Sequence, residues 1–133
     1  MTSPSAAPLV ARDDPNVPGE SIVAARAAES KSGEATAVLA MGELLGITDA
    51  FVITSGRNPR QVKTIVDEVE RKVGEGTGRK PVRVEGLDDA RWVLMDYGDF
   101  LVHVFLDEAR EFYDLEHLWA DAPRMAWSPV PTA

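Results

Sequence analysis

Apolar residues recur at Val62, Ile65, Val66, Val69 and Val73, the i, i+3, i+4, i+7, i+11 spacing that gathers them on one stripe of a helix. Lys63, Asp67, Glu68, Glu70, Arg71 and Lys72 fall largely outside that stripe, so it reads as core. Asn58-Pro59-Arg60-Gln61 marks its start: Asn58 can cap, Pro59 suits the first helical position, and Gln61 stands where a capping-box partner belongs. Gly74, Gly76 and Gly78 are expected to end the helix in a glycine-rich connection. An earlier, alanine-rich stretch at 20–32 supports a first helix stopped at Gly33, with Ile22, Ala25 and Glu29 on neighbouring turns and few large side chains to pack.

Short apolar or β-branched runs at 35–41 and 50–55 read as strands joined by a short link, and 81–86 as a third strand with alternating sides. Residues 91–106 form two further strands around Tyr97 and Gly98. A two-residue turn at that pair places Asp96 opposite Asp99, Met95 opposite Phe100 and Trp92 opposite His103. Alternation then puts Val93, Met95, Phe100, Val102 and Val104 on an apolar core face. The other face carries Trp92, Leu94, Asp96, Asp99, Leu101, His103 and Phe105 and has the mixed character of a contact surface, with Trp92 its exposed anchor. The alternative is that Phe112, Leu115 and Leu118, at i, i+3, i+6 of a final helix, fold over the distal half of the same face and turn Leu94 and Phe105 into ordinary core.

The chain has 133 residues and no cysteine, which fits one domain with a single core and removes disulfides, thiolate metal sites and cysteine nucleophiles. Proline-rich, period-free ends divide it into an N-terminal tail at 1–18, an α/β domain at 19–120 and a C-terminal tail at 121–133. No leader-like segment and no apolar run near the ~20 residues needed to span a bilayer occurs, so a cytoplasmic protein away from membranes is expected. A net charge of −8 opposes binding to free DNA and favours a basic protein partner. Like charges at Asp96 and Asp99 call for a cation, which such a partner would bring.

Candidate chemistry is sparse. Ser55-Gly56 before a helix start, with Arg57 and Arg60 close by, could hold a phosphate, but it lacks the glycine pattern of a nucleotide site and a plain cap is the simpler reading. His103 and His117 have no carboxylate at a zinc-binding spacing, and Asp96 and Asp99 straddle a turn rather than aiming at one metal. No metal, cofactor or catalytic constellation is expected.

The motifs Thr48-Asp49-Ala50-Phe51-Val52-Ile53-Thr54-Ser55-Gly56, Arg60-Gln61-Val62, Val84-Glu85-Gly86, Trp92-Val93-Leu94-Met95-Asp96-Tyr97-Gly98-Asp99, Val102-His103-Val104-Phe105 and Arg110-Glu111-Phe112-Tyr113-Asp114-Leu115-Glu116 closely resemble, in this order, the ribosomal silencing factor (RsfS, Iojap-like) family over residues 21–123. The resemblance implies a single α/β domain with a mixed sheet of about five strands flanked by helices, in a nucleotidyltransferase-like topology. It also implies a non-enzymatic factor that binds the large ribosomal subunit through ribosomal protein fourteen, blocks subunit joining and lowers translation when nutrients are scarce. The expected partner-binding residues are Trp92, Leu94, Asp96, Tyr97, Asp99 and His103. An enzyme acting on a phosphorylated substrate is the alternative, disfavoured because basic Arg57-Asn58-Pro59-Arg60 follows Ser55-Gly56 where a metal-binding carboxylate pair would stand. A third reading is a homodimer of the free protein through the same face.

Overall fold

The structure is a computed structural model that describes residues 9–10 and 17–127. Its elements in chain order are β1 (Leu9–Val10), α1 (Gly19–Ser30), β2 (Glu34–Ala40), α2 (Gly42–Leu45), β3 (Ala50–Gly56), α3 (Pro59–Thr77), β4 (Arg83–Glu85), β5 (Trp92–Asp96), β6 (Phe100–Leu106), α4 (Asp107–Tyr113), α5 (Leu115–Leu118) and β7 (Arg124–Met125). The strands form one mixed sheet in the order β1-β7-β2-β3-β6-β5-β4, parallel at β1/β7 and β3/β6 and antiparallel elsewhere. The expected five strands are those of three or more residues; β1 and β7 extend them at one edge.

α1 and α3 pack on each other and on one face of the sheet, over Val38, Val52, Val93, Met95, Val102 and Val104, none of which has any exposed surface. The α3 stripe is buried throughout, at Val62, Ile65, Val66, Val69 and Val73. α1 reaches the sheet through small residues: Ala24, Ala25 and Ala28 are completely buried, and their size brings the helix axis close. On the opposite face Leu39, Phe51, Ile53, His103 and Phe105 are buried beneath α4, α5 and Trp119, whereas Trp92, Leu94 and Leu101 stay partly exposed.

Asn58 caps α3 by accepting the Gln61 N–H at 2.8 Å, and the Gln61 side chain accepts in return from the Arg57 N–H at 2.7 Å, one residue before the position a capping box prescribes. The helix does not stop at Gly74 or Gly76. It runs to Thr77, held by the Arg71–Glu75 ion pair and by Thr77 Oγ1 donating to the Val73 carbonyl, and ends at Gly78 with φ +74°.

The segment after Trp119 is also more than a tail. The Ala40 N–H donates to the Pro123 carbonyl at 2.7 Å, Arg124 pairs with Leu39, and Ala122 and Met125 are buried. Trp127 Nε1 donates to the Thr36 carbonyl at 2.9 Å, so 121–127 closes the β2 edge of the domain. At the other end Val17 is buried and Leu9–Val10 pairs with β7. The tail readings for 1–8, 11–16 and 128–133 lie outside the described residues.

Candidate functional site

The β5–β6 hairpin turns at Gly98 and Asp99 rather than at Tyr97 and Gly98. The Tyr97 N–H donates to the Phe100 carbonyl at 3.0 Å, and Trp92 pairs with Phe105, Leu94 with His103 and Asp96 with Leu101. Gly98, with φ +89°, takes the left-handed corner that a side chain would strain. The register therefore sits two residues from the expected one, and an even slip leaves every side chain on its original face. Val93, Met95, Phe100, Val102 and Val104 point into the core, while Trp92, Leu94, Asp96, Leu101, His103 and Phe105 share the other face.

The six expected contact residues do not form one surface. Asp99 lies in the turn and takes Arg79 at 2.7 Å and 3.3 Å, and the same guanidinium donates to the Tyr97 carbonyl at 2.6 Å. Asp96 accepts the Gly98 N–H at 2.8 Å and pairs with Arg83 at 3.3 Å. The two carboxylates do not face each other, and the cations assigned to a partner come from this chain. Tyr97 is buried, its ring stacked on Phe100 at 4.6 Å, and burial pushes its phenol up to about 12. Tyr97 is a packing residue, not a surface contact.

His103 is also buried, at 4 % exposure, with Phe51 4.5 Å from its ring. Burial among aromatic rings pulls its pKa down to about 4, so the imidazole is neutral at neutral pH. Trp92 Nε1 donates to His103 Nδ1 at 3.1 Å. The Trp92 ring is half-buried, stacked on Phe105 at 5.0 Å with Tyr113 on it at 4.7 Å. Leu94 is half-buried beside Trp92 and, with Glu85 and Gly86, the two line a shallow groove along the β4 edge.

The helix that the alternative reading lays over this face is broken. Asp114 adopts φ +49°, which divides α4 from α5 and leaves Phe112 78 % and Leu118 69 % exposed. Phe105 is core, but Tyr113 rather than Phe112 or Leu118 lies against its cluster, and Leu94 stays partly open. The outcome is an aromatic ridge in which Phe112 touches Tyr113 at 5.0 Å and Tyr113 touches Trp92. Arg83, Glu85 and Asp96 form its charged rim, with Arg83 Nε 3.1 Å from Glu85. Phe112 and Tyr113 were not among the sequence-derived contacts; two adjacent aromatics just before an Asp able to adopt left-handed backbone are the signal that points to them.

Arg110 is a third residue whose role the sequence did not reveal. All five of its N–H donors are used: on Glu116 Oε1 and Oε2 at 2.9 and 3.0 Å, on the Glu34 and Ala35 carbonyls at 2.7 Å each, and on Ser55 Oγ at 3.0 Å. Ala35 has φ +46° in the β2 bulge, which turns both carbonyls toward the guanidinium. Burial alone would raise the Glu116 carboxyl, but Arg110 and Arg124 together hold it below its ordinary value. With Ser55 bound in this way and the start of α3 closed by Asn58 and Gln61, the candidate phosphate site is occupied by the protein's own groups. Among the described residues no three His, Asp or Glu side chains are placed to hold a metal ion, and no helix is long and apolar enough to cross a membrane.

Comparison with known proteins places this architecture. The family model described as "Ribosomal silencing factor during starvation" matches residues 14–133, past both ends of the segment that carries the motifs. The ribosomal silencing factor RsfS of Bacillus subtilis is 41 % identical over 101 residues, covering 76 % of this chain and 85 % of that protein. A mouse protein named for mitochondrial assembly of the ribosomal large subunit is 36 % identical over 74 residues, 54 % of this chain and 32 % of its own length. A crystal structure of a Chromobacterium violaceum protein superposes with a TM-score of 0.73 at 32 % identity, covering 86 % of this chain and 88 % of that one. This chain belongs to the ribosomal silencing factor (RsfS) family.

Proposed function

We propose that this protein binds the large ribosomal subunit in the cytoplasm through ribosomal protein fourteen, covers the surface that meets the small subunit, and so represses translation under nutrient limitation without turnover. The observation that carries the reading is the ridge of Phe112, Tyr113 and Trp92, a run of aromatic rings left partly open on an otherwise packed sheet and bordered by Glu85 and Asp96. Half-open aromatic side chains beside a charged rim are the composition of an interface core, and the acidic chain suits a basic ribosomal protein. The mouse relative's name, which ties that protein to the large subunit, points the same way.

Sucrose-gradient sedimentation with bacterial ribosomes tests the proposal. The protein is expected with free large subunits and not with assembled ribosomes; equal recovery with both overturns occlusion. Trp92→Ala should weaken large-subunit binding by roughly 2 kcal/mol, the scale of an interface anchor. Phe112→Ser should weaken binding too, with an unchanged melting temperature because that ring is already in water. A second copy of the chain is the competing occupant of the ridge, and sedimentation velocity of the free protein detects it.

A further inference from the structure

Trp92 is held by a hydrogen bond whose other end is costly to the fold. An indole N–H can only donate, so His103 Nδ1 must be the unprotonated, accepting nitrogen and the neutral ring carries its proton on Nε2. That Nε2 is buried and has no hydrogen-bond partner among the described residues. A buried donor left unpaired costs about 1–3 kcal/mol. Phe51 and Phe105 beside the ring, at 4.5 and 6.2 Å, show that an apolar side chain would suit the position without that penalty. What the imidazole provides, and a phenyl ring could not, is the acceptor for Trp92.

The stacks on Trp92 leave a need for that acceptor. Phe105 at 5.0 Å and Tyr113 at 4.7 Å restrain the plane of the indole, but π-contacts are tolerant of a ring turned over or slid within its plane. The directed bond from Nε1 to Nδ1 selects one orientation, with the N–H edge turned toward His103 on β6. We infer that His103 is a positioning residue for partner binding, fixing through Nδ1 the edge of Trp92 that the docking face presents. The inference rests on the reading of the ridge as that face. It reassigns His103 from a direct contact, which its burial forbids, to a support.

Two readouts on the same variants test it. His103→Phe keeps an aromatic ring and removes the acceptor; His103→Asn places an acceptor oxygen near the position of Nδ1; Trp92→Phe removes the bond from the donor side while keeping an aromatic ring on Phe105 and leaving His103 in place. The Trp92 indole N–H resonance of the free protein, assigned by its loss in Trp92→Phe, should move toward the solvent-exposed range in His103→Phe and return in His103→Asn. Dissociation constants for isolated bacterial large subunits should rise about tenfold in His103→Phe, the scale of one hydrogen bond, and recover in His103→Asn. In the Trp92→Phe background, His103→Phe should bring no further loss. Equal losses in both backgrounds, or native affinity in His103→Phe with a displaced indole signal, overturn the positioning role. Binding that survives Trp92→Ala overturns both the docking face and the inference, whereas binding lost in Trp92→Ala yet kept in His103→Phe overturns the inference alone. Should His103→Phe fail to fold, the Trp92→Phe and His103→Asn pair decides: unaltered affinity in Trp92→Phe means the bond is irrelevant to docking.

Discussion

Acidification should weaken the fold through His103 before any carboxylate contributes. The folded imidazole titrates near 4 and an unfolded one near 6.5, so between those values the unfolded chain binds the extra proton and stability must fall as pH falls. The sign follows from the geometry: a proton added to Nδ1 would replace the acceptor for Trp92 with a second donor and place a charge among Phe51, Trp92 and Phe105. Two and a half pKa units correspond to at most about 3 kcal/mol, of which about 2 kcal/mol is lost between pH 7 and pH 5. Glu116, whose folded value lies below its ordinary 4.5, loses its contribution only as pH falls below that value, so the window from 7 to 5 belongs to His103. Urea denaturation followed by circular dichroism at the two pH values, on the native chain and on His103→Phe, isolates the effect; exposed His117 is common to both and cancels. The native chain should lose about 2 kcal/mol more than the variant. Equal pH dependence in the two chains, or an NMR titration of His103 centred near 6.5, would refute the argument.

Two further outcomes are expected. Arg110→Ala strands the Glu34 and Ala35 carbonyls and the half-buried Glu116 carboxylate, and should lower unfolding stability by about 3 kcal/mol in urea, with no rescue by Arg110→Lys because an ammonium cannot span the five acceptors. Deleting 122–133 uncovers the β2 edge and removes the Trp127–Thr36 bond, and should lower the melting temperature by about 5 °C or more, where a dispensable tail would leave it unmoved.

The parts of the fold that were legible in sequence are those set by local periodicity. The stripe of α3 and its Asn58 cap follow from residues within a few positions of one another, and the two faces of the hairpin follow from a period of two that survives a two-residue error in register. What escaped depends on contacts between distant residues. Arg79 reaches 20 positions along the chain to Asp99, and Arg83 reaches Asp96 across the β4–β5 pair, so neither acid is unpaired. Tyr97 is buried because Phe100 turns back onto it once the turn moves to Gly98, a shift worth one step of the chain that no composition rule specifies. α3 continues through two glycines because ion pairing and a cap further on offset their propensity cost, about 1 kcal/mol each. Alternation placed Trp92 and Leu94 on the partly open face of the hairpin, but the dihedral angle of Asp114 decides that Phe112 and Tyr113 lie beside them.

The strand order carries a consequence for how the chain reaches this state. β2 with β3, and β4 with β5 and β6, are locally closed antiparallel units, whereas the central parallel pair joins residues 50 positions apart, Ala50 with Phe100 through Gly56 with Leu106. Closing that pair requires α3 to be formed and laid across the sheet, because the crossover between parallel strands runs through it. The two antiparallel units can assemble early and separately, and their union along β3 and β6 is expected to be the slow step, since it closes the longest loop before core contacts compensate. Val52→Ala and Val102→Ala, which face each other across that seam, should then accelerate unfolding more than they slow folding. Stopped-flow chevrons in which both variants act mainly on the folding arm would show instead that the seam is already closed at the barrier.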